Sequence, residues 1–387
     1  MNIIVFTTYF SLKSGYERLS LELFIWLKKK GYNVGIVSQF DLQKSCLKDY
    51  PEIFKTNENN DVYLLNLVNK LNIFKIFKSI LLFRKIIVTK NYQFIEVSAF
   101  APSVIAYIST IGINTKIIIG IHDDYSIRKY KVFKFLIWKL FLKNKKIYFY
   151  SISNYVYKKW IKYSKTKKKN NFILYNSINN EYFNRKKFNK NLNLKNMYNL
   201  KKDSICILSV GRLMHRKGID VTIQAMNLLK SSIDIHLFIV GRKDDSDRND
   251  ETSFQRDNNN FIKSNKLTKS VHFLGERNDV AELMCQCDLF VHSARVEGFG
   301  LVLVEAMASG LPVISTNVGG IPEVLRGSKS ILVPPGEPKL LASAIISYSG
   351  WSKKKIDDIK QTSRECALNY TVERRGVNFI SHLQKIC

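Results

Sequence analysis

Glu297, Gly298, Phe299 and Gly300 follow a short apolar segment, Leu289 to His292, and Glu305 lies eight residues beyond Glu297. The apolar segment predicts a strand and the run after Gly300 a helix, so the glycines form the turn between them. Glycine lets bare amides approach an anion, and a helix start adds the positive end of its dipole. Two carboxylates are left to take hydroxyl groups. Such a loop suits a polar, phosphate-bearing ligand. A second apolar run, Pro312 to Ser315, ends in Thr316-Asn317-Val318-Gly319-Gly320, a flexible turn at a strand end, where open α/β sheets bind ligands. In isolation these residues also fit ordinary βα loops with surface acids, and the remainder of the chain bears on the choice.

Three more polar groups fall at predicted strand ends. In Ser209-Val210-Gly211-Arg212-Leu213-Met214-His215-Arg216-Lys217-Gly218, Arg212 and Lys217 supply a planar fork and a point charge, which suit a diphosphate. Gly241-Arg242 and Gly275-Glu276-Arg277 end the next two strands and could wall a base or ribose. Gly120-Ile121-His122-Asp123-Asp124 ends an apolar strand with a histidine whose ring Asp123 could orient. For the cations the alternative is a solvated surface, and for the histidine a structural role.

The elements that must position these groups alternate between strand and helix. Asn2 to Thr7 predicts a strand, Ser14-Gly15-Tyr16 a tight turn, Glu17 to Lys30 a helix stopped by Gly31, and Asn33 to Ser38 the next strand. Apolar segments at Phe94 to Val97, Lys116 to Ile121, Ile147 to Tyr150 and Phe172 to Tyr175 continue a first α/β domain over residues 1–180. Residues 181–203 are lysine- and asparagine-rich and predict a linker. Strands at Ile205 to Val210, Ile235 to Val240, Val271 to Phe273, Leu289 to His292, Pro312 to Ser315 and Ser330 to Val333 predict a second α/β domain over 204–365. The remaining residues, 366–387, predict a helix crossing back to the first domain. Two doubly wound domains in series put a ligand cleft between them.

A chain of 387 residues at 45% hydrophobic composition accommodates two cores and excludes a disordered tail. Met1 to Phe6 lacks the charged flank and cleavage site of a signal peptide, and no uncharged apolar run reaches 18 residues. Six scattered cysteines, Cys46, Cys206, Cys285, Cys287, Cys366 and Cys387, form no disulfide framework and suit the cytoplasm. The formal net charge of +29 is uneven: residues 1–200 carry 35 Lys+Arg against 11 Asp+Glu, the remainder 26 against 21. Lys70 to Lys90 and Lys129 to Lys146 interleave lysines with large apolar side chains. That pattern predicts peripheral contact with an anionic membrane surface, with buried core helices as the alternative. Nucleic-acid binding is disfavoured, because it calls for arginines and aromatics on a polar face.

Val210-Gly211-Arg212-Leu213 with Lys217-Gly218, and Glu297-Gly298-Phe299-Gly300 with Glu305, together resemble the retaining glycosyltransferases of the large GT-B-fold family 4, which includes bacterial lipopolysaccharide and capsule sugar transferases. Gly15, His122-Asp123, Tyr175-Asn176 and Val318-Gly319-Gly320-Ile321-Pro322-Glu323 extend the likeness over nearly the whole chain. The resemblance implies an α/β GT-B fold of two Rossmann-like doubly wound domains facing a cleft. Arg212 and Lys217 would hold the donor diphosphate, Glu305 the ribose hydroxyls, and Glu297 would lie by the transferred sugar. Phe299, Gly300 and Leu301 would present backbone amides, His122 would contact the sugar or acceptor, and Gly15 would let the first loop approach the phosphate. Ser14-Gly15 departs from the commoner paired glycines, and Asn176-Ser177 from the commoner Asn-Gly.

The implied reaction transfers a hexose or N-acetylhexosamine, with retention, from a nucleotide sugar to a lipid-linked saccharide of lipopolysaccharide, O-antigen or capsule. The breadth of the family favours a UDP-sugar over GDP-mannose. No metal or cofactor is implied, and Asp244-Asp245 and Asp247 read as exposed loop. The expected location is the cytoplasmic face of a bacterial membrane. A sugar-nucleotide epimerase of similar build and a non-enzymatic basic membrane- or nucleic-acid-binding protein are the alternative readings.

Overall fold

The structure is a computed structural model of the chain. It describes residues 1–8, 15–39, 61–65, 73–122, 132–165, 168–178, 193–242 and 249–387, excepting the side chains of 73, 132–137, 168 and 249–252. These residues form two units, Met1–Ser177 with Val372–Cys387, and Ile178–Thr371.

The first unit runs β1 (Asn2–Thr7), α1 (Gly15–Lys29), β2 (Asn33–Ser38), β3 (Val62–Leu64), α2 (Ile73–Thr89), β4 (Phe94–Val97), α3 (Phe100–Ser109), β5 (Lys116–Ile121), α4 (Val132–Lys143), β6 (Ile147–Ser151), α5 (Asn154–Ser164) and β7 (Asn171–Ile173). Its seven strands are ordered β3-β2-β1-β4-β5-β6-β7 and all pair in parallel. Parallel strands covered by helices on both faces need apolar side chains at every position, which is why Ile3 to Phe6 are all fully buried.

The second unit runs α6 (Leu194–Met197), β8 (Ile205–Val210), α7 (Ile219–Leu229), β9 (Ile235–Val240), α8 (Asn249–Ser264), β10 (Val271–Gly275), α9 (Val280–Gln286), β11 (Leu289–His292), α10 (Leu301–Ala308), β12 (Val313–Thr316), α11 (Ile321–Val324), β13 (Ile331–Val333), α12 (Pro338–Ser349) and α13 (Lys353–Ala367). Its parallel sheet is ordered β10-β9-β8-β11-β12-β13. In both sheets the order reverses beside the first strand, at β1/β4 and at β8/β11, and such switch points open a crevice at the carboxyl ends of the strands.

Two expectations about segments change. Residues 193–203, the described part of the predicted linker 181–203, pack onto the second unit: Leu194 is buried, Tyr198 packs edge-on against Phe238 at 5.1 Å, and Lys195 pairs with Asp288 at 3.7 Å. The return to the first unit starts at Val372, later than residue 366. Residues 368–371 stay with the second unit because Thr371 bridges Ile178 and the Tyr370 ring meets Phe299. Within Lys129 to Lys146, Trp138 and Phe141 are buried among Phe100, Phe149, Trp160 and Tyr107, so the described part of α4 turns an aromatic face inward. Lys131 and the Lys134 side chain lie outside the described residues.

Helix α14 (Val372–Ile386) completes the first unit. Gly376 lies under the Trp26 ring, where an added Cβ would come within 2.3 Å of it, and Trp26 Nε1 donates to Glu373 at 2.6 Å. One residue before that contact, Arg375 is buried and donates to Asn176 Oδ1 at 3.3 Å and the Tyr150 hydroxyl at 3.4 Å. Burial pushes the carboxyl of the fully buried Glu96 up, and the Arg375 charge works against that rise without cancelling it. Removing a buried donor leaves the acceptors it served unsatisfied, at a cost of about 1–3 kcal/mol. Arg375→Met should therefore destabilise the first unit by about that amount. Urea titration followed by tryptophan fluorescence checks it, since Trp26, Trp138 and Trp160 lie in that unit and Trp351 in the other.

Candidate functional site

At the carboxyl end of the second sheet the strand-end loops touch backbone to backbone. An added Cβ on Gly241 would lie 1.8 Å from the Gly211 carbonyl oxygen, one on Gly218 1.9 Å from that of Ser293, and one on Gly319 1.8 Å from that of Glu297. Gly218 and Gly319 also hold positive φ, +67° and +57°, which glycine adopts without strain. Hydrogen bonds follow these approaches. Leu213 N donates to Arg242 O at 3.1 Å, Gly241 N to Gly275 O at 2.9 Å, and Gly320 N to Glu297 O at 3.1 Å. Ser293 Oγ donates to Gly218 O at 2.6 Å, and Arg295 makes a bidentate ion pair with Asp220 at 2.7 and 2.6 Å.

This scaffold brings Lys217 onto Glu297, with Nζ 2.6 Å from Oε2. The pair is well shielded, the side chains being 19% and 12% exposed. Burial alone would push the Glu297 carboxyl up. The Lys217 charge and the His292 ring, with Nε2 at 3.4 Å from the same oxygen, overcome it and hold the carboxyl well below the usual range. His292 is buried and lowered by desolvation, so its ring is neutral near pH 7. Read from the sequence, His292 was only the end of a strand. The available signal was a polar residue closing an otherwise apolar Leu-Phe-Val run five positions before Glu297.

The remaining residues of the second unit take different places. Arg212 and Arg242 are exposed on the adjoining loops after β8 and β9. Arg277, expected to help wall a base or ribose, makes a bidentate pair with Asp279 of its own turn, at 2.8 and 2.5 Å. The Phe299 side chain is buried edge-on against Tyr370, centroids 5.4 Å apart, and only its backbone is placed to serve a ligand. Gly300, at φ +86°, turns the chain into α10, of which Leu301 is the first residue. Glu305 lies half-buried in the second turn of that helix. Asp244, Asp245 and Asp247 fall outside the described residues, as do Asp123 and Ser14.

In the first unit, Gly15 opens α1 and is exposed. His122 follows β5, its ring between those of Tyr16 and Tyr150 with centroids 6.1 and 5.8 Å away. Nε2 lies 3.4 Å from the Tyr150 hydroxyl. Burial, with the Arg375 charge beside it, drives the imidazole down to about 3, so it is neutral at physiological pH. Beneath it, Glu96 Oε1 accepts from Tyr150 at 2.7 Å and Ser98 Oγ at 2.8 Å.

Residues 191–364 match the family described as Glycosyl transferases group 1. Over 132 residues (34% of this chain, 27% of the relative) the chain is 35% identical to the phosphatidylinositol N-acetylglucosaminyltransferase GPI3 subunit of Saccharomyces cerevisiae. Over 123 residues (31% and 30%) it is 39% identical to the lipopolysaccharide glucosyltransferase WaaG of Escherichia coli. The matched segments thus span under a third of these relatives. Across 99% of both chains, the structure of Anabaena Alr3699/HepE in complex with UDP and glucose superposes with a TM-score of 0.79 at 19% identity. This chain shares with that structure two Rossmann-like α/β units with parallel sheets, the GT-B fold.

The Lys217–Glu297 pair sets a pH signature. A glutamate held below its ordinary value of about 4.3 contributes stability above that pH and loses it as the pH falls towards the depressed value. Without the lysine, burial dominates and Glu297 takes up a proton at higher pH. Lys217→Met should lower stability by about 3 kcal/mol at pH 7, and the gap to the parent should begin to narrow as the pH falls through the variant's raised Glu297 value, above the ordinary glutamate range, and go on narrowing towards the parent's depressed one. Denaturant titrations of both proteins at a series of pH values measure this.

Proposed function

We propose that this chain is a retaining glycosyltransferase, moving a hexose or N-acetylhexosamine from a nucleoside diphosphate sugar to a hydroxyl of a lipid-linked saccharide. The observation that carries the reading is the Lys217–Glu297 pair, held at the strand ends by glycine contacts inside a segment matching Glycosyl transferases group 1. Breaking the bond from the sugar to the diphosphate builds negative charge on the leaving group. Fixed cations and aligned amides stabilise such charge without reorganising. Arg212 and Lys217 serve as those cations, and the amides of Phe299, Gly300 and Leu301 at the start of α10 as donors. Glu305 takes the ribose hydroxyls and Glu297 faces the transferred sugar.

The acceptor oxygen bonds to the anomeric carbon on the face that the diphosphate leaves. The acceptor proton passes to the departing phosphate oxygen, so charge and atoms balance and configuration is retained. His122 takes a hydroxyl of the sugar or acceptor. A UDP-sugar is the favoured donor, as UDP and glucose are what the HepE structure holds. Arg242 lies on the loop beside Arg212 and lines the nucleotide side; Gly15 opens the first loop to the phosphate.

Incubation with UDP- and GDP-sugars and extracted lipid-linked glycan tests the activity. Donor turnover that requires the acceptor is the expected result, and conversion of the sugar without acceptor would point to epimerisation instead. Lys217→Ala should lose about 2–4 kcal/mol of transition-state stabilisation, read in kcat. Glu305→Ala should mainly weaken UDP binding by calorimetry. Near-normal kcat/KM in the lysine variant overturns the phosphate-site assignment.

The acceptor's lipid anchor motivates a membrane-facing surface at α2. Phe74, Phe77, Leu81, Leu82 and Val88 are exposed there alongside Lys75, Lys78 and Lys85, and the helix carries no acidic residue. No helix among the described residues is long and apolar enough to cross a membrane. A peripheral site at the inner face of the cell membrane accords with this surface, each near-surface lysine contributing about 1 kcal/mol. The triple variant K75E/K78E/K85E should lose flotation with vesicles containing anionic lipid while keeping its affinity for UDP. Absence of vesicle binding by the parent protein at physiological salt would refute the membrane contact.

A further inference from the structure

We propose that Tyr370 is a positioning residue that ties the turn Gly298-Phe299-Gly300 to the two points where the chain passes between its units. The chain crosses after Ser177 and again after Thr371, and Tyr370 stands one residue before the second crossing. Its carbonyl accepts from the amide of Ile178, the first residue past the first crossing, at 2.8 Å, and Thr371 bridges Ile178 in parallel. The main chain at Tyr370 thus fastens the two crossings to each other, and Ile178 is buried where they meet. On the far side of the first crossing Asn176 is held by Arg375, which leaves Ser177 alone between two anchored neighbours.

The side chain of the same residue reaches the turn. Its ring meets Phe299 edge-on, centroids 5.4 Å apart, and Phe299 is 2% exposed, so the turn cannot shift without disturbing that contact. Its hydroxyl donates to the carbonyl of Glu323, in α11, at 3.4 Å. Burial pushes the phenol up to about 12, so it is neutral and keeps the proton it donates. Helix α11 and the turn are already joined: Gly320 N donates to Glu297 O at 3.1 Å, and an added Cβ on Gly319 would lie 1.8 Å from the same oxygen. Tyr370 touches both, and a displacement of the turn is therefore felt at Ile178. Only the use of a nucleotide to perturb the turn rests on the glycosyl-transfer reading.

Hydrogen exchange on the full chain, resolved to single amides, tests this. Leu303 N, bonded to Gly300 O at 2.9 Å, and Gly320 N report on the turn, and Ile178 N on the crossings. Tyr370→Leu should speed exchange at Leu303 and Gly320 about tenfold while the amides of β8 and β11 keep the parent rate, the mark of a local and not a global loss. Tyr370→Phe, which keeps the ring, should retain the parent rate at Leu303. Saturating UDP should slow exchange at Ile178 in the parent and leave it unchanged in Tyr370→Leu. A folded leucine variant with parent rates at Leu303 and Gly320, or one in which UDP still slows Ile178, overturns the proposal. So does UDP that binds the parent by calorimetry without slowing Ile178, a result that needs no variant to fold. A parent that binds no UDP sinks the nucleotide reading instead, and the ligand-free rates of the variants still decide this one.

Discussion

Backbone meeting backbone without an intervening Cβ is the constraint on which the second unit's site depends. Gly241 against Gly211, Gly218 against Ser293 and Gly319 against Glu297 each leave less than 2 Å for an added carbon. Main chains that close let the loops after β8, β11 and β12 hydrogen-bond directly, and the Lys217–Glu297 pair follows from that closeness. Side chains alone would not hold it: a lysine has about 2 kcal/mol of rotamer entropy to lose. The stem of Lys217 is fixed because Gly218, the next residue, is locked onto Ser293. Preorganisation here is thus a property of the main chain, and charge is placed upon it afterwards.

The first unit reaches order by a different route. Its polar centre is built from side chains of distant segments, Glu96 on β4, Tyr150 on β6 and Arg375 on α14. Burial raises the Glu96 carboxyl, and the hydroxyls of Tyr150, Ser98 and Ser20 with the Arg375 charge offset part of that cost. The neutral His122 above this centre contrasts with the ionised Glu297 of the second unit. One unit thus offers an uncharged imidazole and the other a fixed ion pair.

Much of the architecture was legible in the sequence. Asn2–Thr7, Asn33–Ser38, Phe94–Val97, Lys116–Ile121, Ile205–Val210, Ile235–Val240 and Leu289–His292 are strands with the bounds their apolar runs suggest. Parallel strands buried on both faces write themselves as unbroken Val and Ile runs. Val62–Leu64 was missed because three half-buried edge residues leave no such trace. Arg212, Lys217, Glu297 and Glu305 could be nominated because glycine turns flank them locally. The partners that define their state were not visible: Lys217 and Glu297 are 80 residues apart, and Arg375 is 225 from Tyr150. No local period encodes such pairings. The engagement of Arg277 by Asp279 is local, but it depends on side-chain rotamers that spacing does not reveal.

The return of α14 to the first unit has a consequence for the order in which the chain acquires its structure. Residues 178–371 form a contiguous unit and can close as soon as they have been synthesised. The first unit, although begun earlier, cannot finish until residues 372–387 arrive. Until then Glu96 has no guanidinium beside it and Trp26 has no Gly376 to cover. During translation, therefore, the segment made first is the last to become complete, and a ribosome that stalls before Arg375 releases a chain whose second unit is whole while its first still carries an uncompensated acid in the core.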